Sequence, residues 1–224
     1  MLPSRTNRKL LLAIVALVLV GAGYFVLLPS RFDVPSIAAT PQYQEPVLLE
    51  RAWELPVART FGRRVASQSN GSVCGPTSVA NVLRSLGVVD ASSAKTIEGS
   101  GLCRTGYCIP GVTLDELAVM AQKKTARKVV VVRDLSLDEF RAELRRTNDP
   151  SRRYIVNFQR GLLFGKGSGH HAPIAGYLEA EDLVLVLDVN AAFGPWLVSS
   201  ERLFRAMDTV DGSSGKKRGL LVFE

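Results

Sequence analysis

The chain has 224 residues, of which 46% are hydrophobic and 22% charged, with a formal net charge of +7. Free of repeats and low-complexity segments, it has the composition of a globular protein with one sizeable core. Its cations are scattered without interleaved aromatics, so nucleic acid is excluded as an expected partner, and only a mild preference for anionic small molecules or lipid surfaces is left.

Arg5, Arg8 and Lys9 precede an uncharged run from Leu10 to Leu28. That is long enough to span a bilayer as a helix, and longer than a typical signal-peptide core. Three cations before the run and Arg31 after it put the N-terminus in the cytoplasm and the rest outside. Without an Ala-x-Ala site, an uncleaved anchor over residues 1–30 is favoured over a cleaved signal segment, giving a membrane-anchored or secreted protein with its folded part periplasmic or otherwise extracytoplasmic. Residues 31–60 carry Pro35, Pro41, Pro46 and Pro56 with no sustained period, which reads as an extended tether. Residues 61–224 suit a single domain.

The first helix is expected over 74–86, where Val79, Val82, Leu83 and Leu86 share a face and Gly87 is a stop. Thr113-Leu-Asp-Glu116 and Ser136-Leu-Asp-Glu139 are capping boxes opening helices to Gln122 and Arg146. Val129–Val132 and Arg153–Phe158 read as strands, and 161–169 as a glycine-punctuated loop. Ala172–Leu178 and Leu183–Val189 make an antiparallel hairpin about Glu179-Ala-Glu-Asp182. A helix over Ser200–Met207 and a strand over Gly219–Phe223 close the chain. Helices lead and antiparallel strands follow, so the fold class is α+β and not a doubly wound sheet.

The cysteines are Cys74, Cys103 and Cys108. Outside the cytoplasm Cys103 and Cys108 can form a disulfide around a tight loop, leaving Cys74 as the free thiol. Two free thiols are the alternative. A Cys-x4-Cys pair with no local third ligand is weak evidence for zinc, so no metal site is expected.

Cys74 begins a helix, where unpaired N–H groups and the helix dipole favour a thiolate. In isolation a small buried cysteine would be the ordinary reading, but its company changes that. Gln68, six residues upstream, is placed like an amide donor for an oxyanion. His170 and His171 are the only two histidines, so only they can take the thiol's proton. Neighbouring side chains on a strand face opposite ways, so one should face Cys74 and the other away; His170, following Gly167-Ser-Gly169, is favoured. Asp188 ends the apolar run Leu183–Leu187, where a carboxylate needs a partner, and lies one hairpin from His170. Cys, His and Asp in that order suit thiol acyl transfer.

The segments Gln68-Ser-Asn-Gly-Ser-Val-Cys74-Gly75 and Gly167-Ser-Gly-His170-His-Ala-Pro173-Ile-Ala-Gly176-Tyr177 resemble signature segments of the phytochelatin synthases, as do Leu187-Asp188-Val189 and Met207…Asp211…Arg218-Gly219. The likeness covers residues 60–223, the family's N-terminal catalytic domain. It implies a papain-like fold, helical first and antiparallel in its C-terminal part, and cleavage of the Cys–Gly bond of glutathione. In that scheme Cys74 attacks, His170 protonates the departing glycine, Asp188 orients His170, and Gln68 serves the oxyanion. The γ-glutamylcysteinyl thioester then passes to water or to a second glutathione. The resemblance also implies substrate contacts: Asn157 and Arg160 lining the acyl pocket, Gly169 beside the histidine, and Asp211 and Arg218 holding the γ-glutamyl amine and carboxylate, a zwitterion that needs one anion and one forked cation. No cofactor is required; cadmium or zinc would act through the metal thiolate of the substrate. Glutathione is the implied partner, with a homodimer and, through the N-terminal run, the membrane.

The chain departs from the plant enzymes in stopping at Glu224 without a cysteine-rich C-terminal domain, in having Ala191 where they carry Arg, and in lacking a tandem cysteine pair. Hydrolysis is therefore expected to dominate over peptide elongation. Two rivals stand beside this reading: a peptidase resembling the bacteriocin-leader group, which shares the Gln…Cys-Gly-Pro pattern, and a non-catalytic thiol- or metal-binding module.

Overall fold

A computed structural model of the chain describes residues 32–224 and, ahead of them, Ile14 alone. The apolar run from Leu10 to Leu28 lies, Ile14 apart, outside those residues; among them no helix is long and apolar enough to cross a membrane.

Helices α1 (Pro46–Trp53), α2 (Pro56–Phe61), α3 (Cys74–Ser85), α4 (Ser93–Ile97) and α5 (Leu114–Gln122) precede the first strand. The strands are β1 (Val129–Val132), β2 (Arg153–Gln159), β3 (Gly169–Leu178), β4 (Leu183–Leu187), β5 (Pro195–Ser199) and β6 (Leu220–Phe223). Between them lie α6 (Leu137–Arg146), α7 (Gly161–Phe164) and α8 (Ser200–Met207). The strands form one six-stranded antiparallel sheet in the order β1-β6-β2-β3-β4-β5. The class is α+β, as the order of elements implied.

Each sheet face buries its own core. Val79, Val82, Leu114, Leu117 and Met120 from α3 and α5, with Val73 just before α3, close over Ile155, Leu221 and Phe223. Phe140, Leu144 and Leu203 from α6 and α8 pack on Val156, Phe158, Val186 and Trp196 on the other face. Adjacent strand residues alternate between the two, the ordinary pleat. Both capping boxes form, with each hydroxyl accepting from the third helical N–H and each glutamate answering the cap's own N–H.

The tether expected over 31–60 is not extended. Pro46 and Pro56 each stand at the first position of a helix, where a missing N–H costs nothing. Ala52, Trp53 and Ala58 seal a third apolar cluster over Leu185, Leu187 and Leu197. Ile37 reaches the core beside α7, and Phe32 donates its N–H to Gly165 O at 2.9 Å. Prolines taken for linker punctuation are helix starts. Three further differences bear on the site. The loop at 161–169 contains α7, ended by Gly165 in the left-handed region at φ 75°. β3 begins at Gly169 and so includes both histidines. β4 ends at Leu187, leaving Asp188 just past the strand.

Candidate active site

Cys74 is the first residue of α3 and is buried. The preceding turn is held by Asn70, whose Oδ1 accepts from Ser72 N at 3.0 Å and Ser72 Oγ at 2.7 Å. The N-cap, Val73, offers no side-chain acceptor, and Pro76 has no N–H. The helix's positive end is therefore left open at Cys74 and Gly75. A side chain at Gly75 would meet Val112 Cγ2 at 2.7 Å, so only glycine lets α3 seat here. Ser78 Oγ ties the helix to β3 by donating to His171 O at 3.0 Å. Asn81 holds the approaching segment by accepting from Ala66 N and donating to Ala66 O, each at 2.9 Å.

In the β2–β3 register Asn157 pairs with His171, and Phe158 with His170. The histidines thus point to opposite faces, as expected for a strand, but the consequence differs from expectation because both reach the thiol. His171 lies on the α3 side, with Nδ1 3.8 Å from Cys74 Sγ. His170 lies on the aromatic side, edge-on to Phe158, with Nε2 2.9 Å from Asp188 Oδ1. Cys74 stands across the start of β3, where rings from either face come to it.

Asp188 gathers four donors. Besides His170, Arg160 Nη2 donates to both its oxygens at 3.0 and 2.9 Å, Trp196 Nε1 to Oδ2 at 3.1 Å, and Asn190 N to Oδ1 at 2.9 Å. Burial alone would raise this carboxyl; the His170 bond and charge and the Arg160 charge outweigh it and hold it at about 2. Burial likewise opposes charge on His170, yet the Cys74 charge and the Asp188 bond raise it above the ordinary imidazole range. Cys74 is pushed up by burial and pulled down by the His170 charge and by hydrogen bonds to both rings, with the net well below an ordinary thiol. His171 Nδ1 is 3.8 Å from the sulfur, and His170 is the ring with a carboxylate behind it. Thiol and imidazole are thus each shifted toward their charged forms.

A cleft of about 270 Å³ opens on this thiol. Cys74, His171, Asn157, Gly169, Asp211 and Arg218 all line it. Arg218 is buried and donates from Nη1 to Asn157 Oδ1 at 3.1 Å, with Nη2 3.6 Å from Asp211 Oδ1. A Cβ on Gly169 would meet Arg218 Nη1 at 2.6 Å, so the glycine makes room for the guanidinium. The cleft wall thus offers one cation and one carboxylate together, while a second wall comes from Pro110, Gly111 and Val112. That wall follows a disulfide between Cys103 and Cys108, and Cys74 is the free cysteine. Cys108 N donates to Ser72 Oγ at 3.0 Å and Asn70 Nδ2 to Gly106 O at 3.1 Å, tying the bridged loop to the turn before Cys74. Among the described residues, no group of three or more His, Cys, Asp or Glu is placed to hold a metal ion.

Gln68 and Arg160, both expected at the site, have their side-chain donors turned to other partners. Gln68 turns its amide into its own turn: Nε2 donates to Asn70 O at 2.9 Å, and Oε1 is enclosed without a protein partner among the described residues. Its backbone N–H donates to Val189 O at 2.7 Å, joining the turn to the Asp188 corner. Arg160 is not on the cleft. It stands behind Asp188 with its guanidinium 4.2 Å from the Phe193 ring centroid and 5.3 Å from that of Phe164. Trp196 was not singled out from the sequence. The alternating run Pro195–Ser199 after Gly194 could have marked its strand, but nothing local marks the indole as a donor to Asp188.

The sequence profile of the family described as phytochelatin synthase matches residues 46–220. A glutathione gamma-glutamylcysteinyltransferase of Schizosaccharomyces pombe is 27% identical over 179 residues, 74% of this chain and 42% of that protein. Glutathione gamma-glutamylcysteinyltransferase 1 of Arabidopsis thaliana is 35% identical over 89 residues, 39% of this chain and 18% of its own. The chain thus spans less than half the length of these curated relatives. The peptidase domain of Streptococcus ComA, a bi-functional ABC transporter, superposes with a TM-score of 0.48 at 19% identity, over 72% of this chain and 96% of that domain.

Proposed function

The chain belongs to the phytochelatin synthase family, and from that membership we propose that it cleaves the Cys–Gly bond of glutathione through a γ-glutamylcysteinyl thioester on Cys74. The observation that carries the reading is the placement of buried Cys74, with His171 at 3.8 Å and the His170–Asp188 bond behind it, on a cleft lined by Arg218 and Asp211. A thiolate at an open helix N-terminus is the nucleophile. The charged pair matches the carboxylate and amine of a γ-glutamyl head group, with Asn157 keeping Arg218 aimed.

In the acylation half Cys74 Sγ adds to the carbonyl of the Cys–Gly peptide. The oxyanion that forms lies at the end of α3, where the N–H groups of Cys74 and Gly75 are unclaimed by the helix. His170, charged in the resting state, gives its proton to the glycine nitrogen as the C–N bond breaks. Asp188, gripped by Arg160 and Trp196, keeps the ring oriented. The acyl group then passes mainly to water, giving γ-glutamylcysteine, and to a second glutathione as the lesser path. Cadmium or zinc would enter as the metal thiolate of the substrate. The run over residues 10–28 and the Cys103–Cys108 bridge support an extracytoplasmic site of action.

The test is product analysis from glutathione with and without cadmium or zinc. Glycine and free γ-glutamylcysteine, abolished by Cys74→Ser, support hydrolysis, and longer γ-glutamylcysteinyl oligomers would shift the assignment to synthesis. If no glycine appears while a double-glycine peptide is cut, glutathione is the wrong substrate.

A further inference from the structure

Between Gly101 and Pro110 the chain makes a tight hairpin for which the proposed reaction has no use. Arg104 and Tyr107 exchange both backbone hydrogen bonds at 2.9 Å. Thr105 and Gly106 lie between them at φ 49° and 81°, the two-residue turn that needs both centres in the left-handed region. The Cys103–Cys108 bridge closes the base. So pinned, the hairpin holds three large apolar side chains out from the body. Leu102 is 43% exposed, Tyr107 52% and Ile109 78%, and with Arg104 they line one open groove. Elsewhere among the described residues, exposed large apolar side chains stand singly or, at Val88 and Val89, as a pair. Apolar side chains clustered on a surface mark a contact with something apolar.

What covers the hairpin follows from where the chain enters the body. Phe32 docks on Gly161 and Gly165, at the two ends of α7 and directly past the end of β2. The hairpin leads into Pro110 and Gly111, which share the cleft with Gln159, Ser168 and Gly169, where β2 ends and β3 begins. Entry and hairpin therefore flank one end of the sheet, with exposed Lys166 on the segment from α7 to β3. Residues 99–113 and 160–169 contain no acidic residue; Asp33 stands beside the entry. Upstream, only Pro29, Ser30 and Arg31 separate Phe32 from the uncharged run that ends at Leu28.

We propose that the hairpin is a membrane-docking surface: Leu102, Tyr107 and Ile109 enter the headgroup region of an anionic bilayer, while Arg104 and Lys166 meet its phosphates. The proposal rests on the reading that residues 10–28 are seated in that bilayer. Three side chains alone would hold a membrane weakly, but a body tethered this closely meets the surface at high effective concentration. Tyrosine, with an apolar ring and a polar tip, suits that depth. Each cation near an anionic surface adds to the attraction. Docking sets the cleft wall of Pro110, Gly111 and Val112, which follows the hairpin directly, at the level of the headgroups.

The test places the full chain in vesicles of phosphatidylcholine and phosphatidylglycerol with brominated acyl chains and reads tryptophan fluorescence. Trp53 and Trp196 are buried in the body and give the wild-type background. Ile109→Trp should add a blue-shifted emission that bromine largely quenches. Val89→Trp is the orientation control: it lies past the far end of α3, a helix of 12 residues whose first is Cys74, and so about 18 Å or more from the cleft. Its added emission should be unshifted and unquenched. Arg104→Gln and Lys166→Gln, each in the Ile109→Trp background, should lower the ratio of docked to free body roughly fivefold, the weight of one cation at an anionic surface. Equal quenching at positions 89 and 109 overturns the proposal, as does no quenching at 109 in a chain that floats with the vesicles. A blue shift at 109 without quenching means that a second copy covers the hairpin, which also overturns it. A full chain that does not float with vesicles sinks the reading of residues 10–28 as an anchor, and this proposal with it, while leaving glutathione cleavage untouched.

Discussion

Arg160 and Asp188 form the buried ion pair on which the site rests: one guanidinium nitrogen donates to both carboxylate oxygens, and the Asp188 side chain is 0% exposed. The arginine does not itself line the cleft, yet its charge helps hold low the carboxylate that meets His170.

Arg160→Met should therefore behave as a catalytic and a folding lesion at once. Removing one partner of a buried pair leaves the other charge uncompensated, at about 3–5 kcal/mol. Urea denaturation should show a loss of that order. Turnover should fall about tenfold or more, on the scale of one lost charged hydrogen bond. Unchanged stability would mean that Asp188 does not need this partner.

The ion pair should be visible in the pH dependence of alkylation. Because Cys74 lies well below an ordinary thiol, iodoacetamide should label it rapidly near pH 6, where an unperturbed cysteine is well under about 1% thiolate. His170→Ala should move the profile up to or above that of an ordinary thiol, since burial then stands less opposed. His170 is raised, so the stability from its charged form is fully present below the free imidazole range and is lost as pH climbs through the raised value. Asp188 is lowered from 3.8 to about 2; its contribution, on the order of 2 kcal/mol, is present above about pH 4 and is lost as pH falls through about 2. Equilibrium denaturation across that acid range checks the sign.

Arg218 and Gly169 should fail together. Arg218→Met removes the only cation on the cleft wall among its lining residues, and the KM for glutathione should rise roughly 10- to 100-fold, the loss of a charged hydrogen bond of about 1.5–3 kcal/mol. Gly169→Ala places a methyl where Arg218 Nη1 stands and should raise KM in the same direction while leaving the alkylation rate of Cys74 in place. Initial rates against glutathione concentration decide this.

Replacing Cys103 and Cys108 by Ser opens a loop that closes over very few residues, so the stability lost should be about 2 kcal/mol. The loop's hydrogen bonds to Asn70 and Ser72 lie beside the nucleophile, so its loosening should also raise proteolytic cutting near Gly106. If cutting there is unchanged, those contacts hold the loop without the bridge.

Elements written in short-range chemistry could be read directly from the chain. Thr113 and Ser136 announce their helices because the cap and its reciprocal glutamate lie within one turn. Cys74, His170 and Asp188 stood out because a lone thiol, two histidines and a carboxylate ending an apolar run leave few ways to be satisfied. What escaped depends on packing between distant segments. Nothing near Pro46 or Pro56 says that Trp53 will close a core over Leu187. Arg160 looked like a substrate contact until the aromatic box of Phe158, Phe164 and Phe193 drew it behind Asp188. The opposite facing of the histidines followed from strand periodicity, but that both would reach one sulfur depends on where the tip of α3 lands.

The docking of Phe32 has a mechanical consequence. With its N–H on Gly165 and its ring filling the space where a side chain on Gly161 would lie, the folded body begins four residues after Leu28. Fully stretched, those residues reach at most about 14 Å. Were residues 10–28 seated in a bilayer, the domain would be a fixture resting near the headgroups, not a body swinging on a long leash.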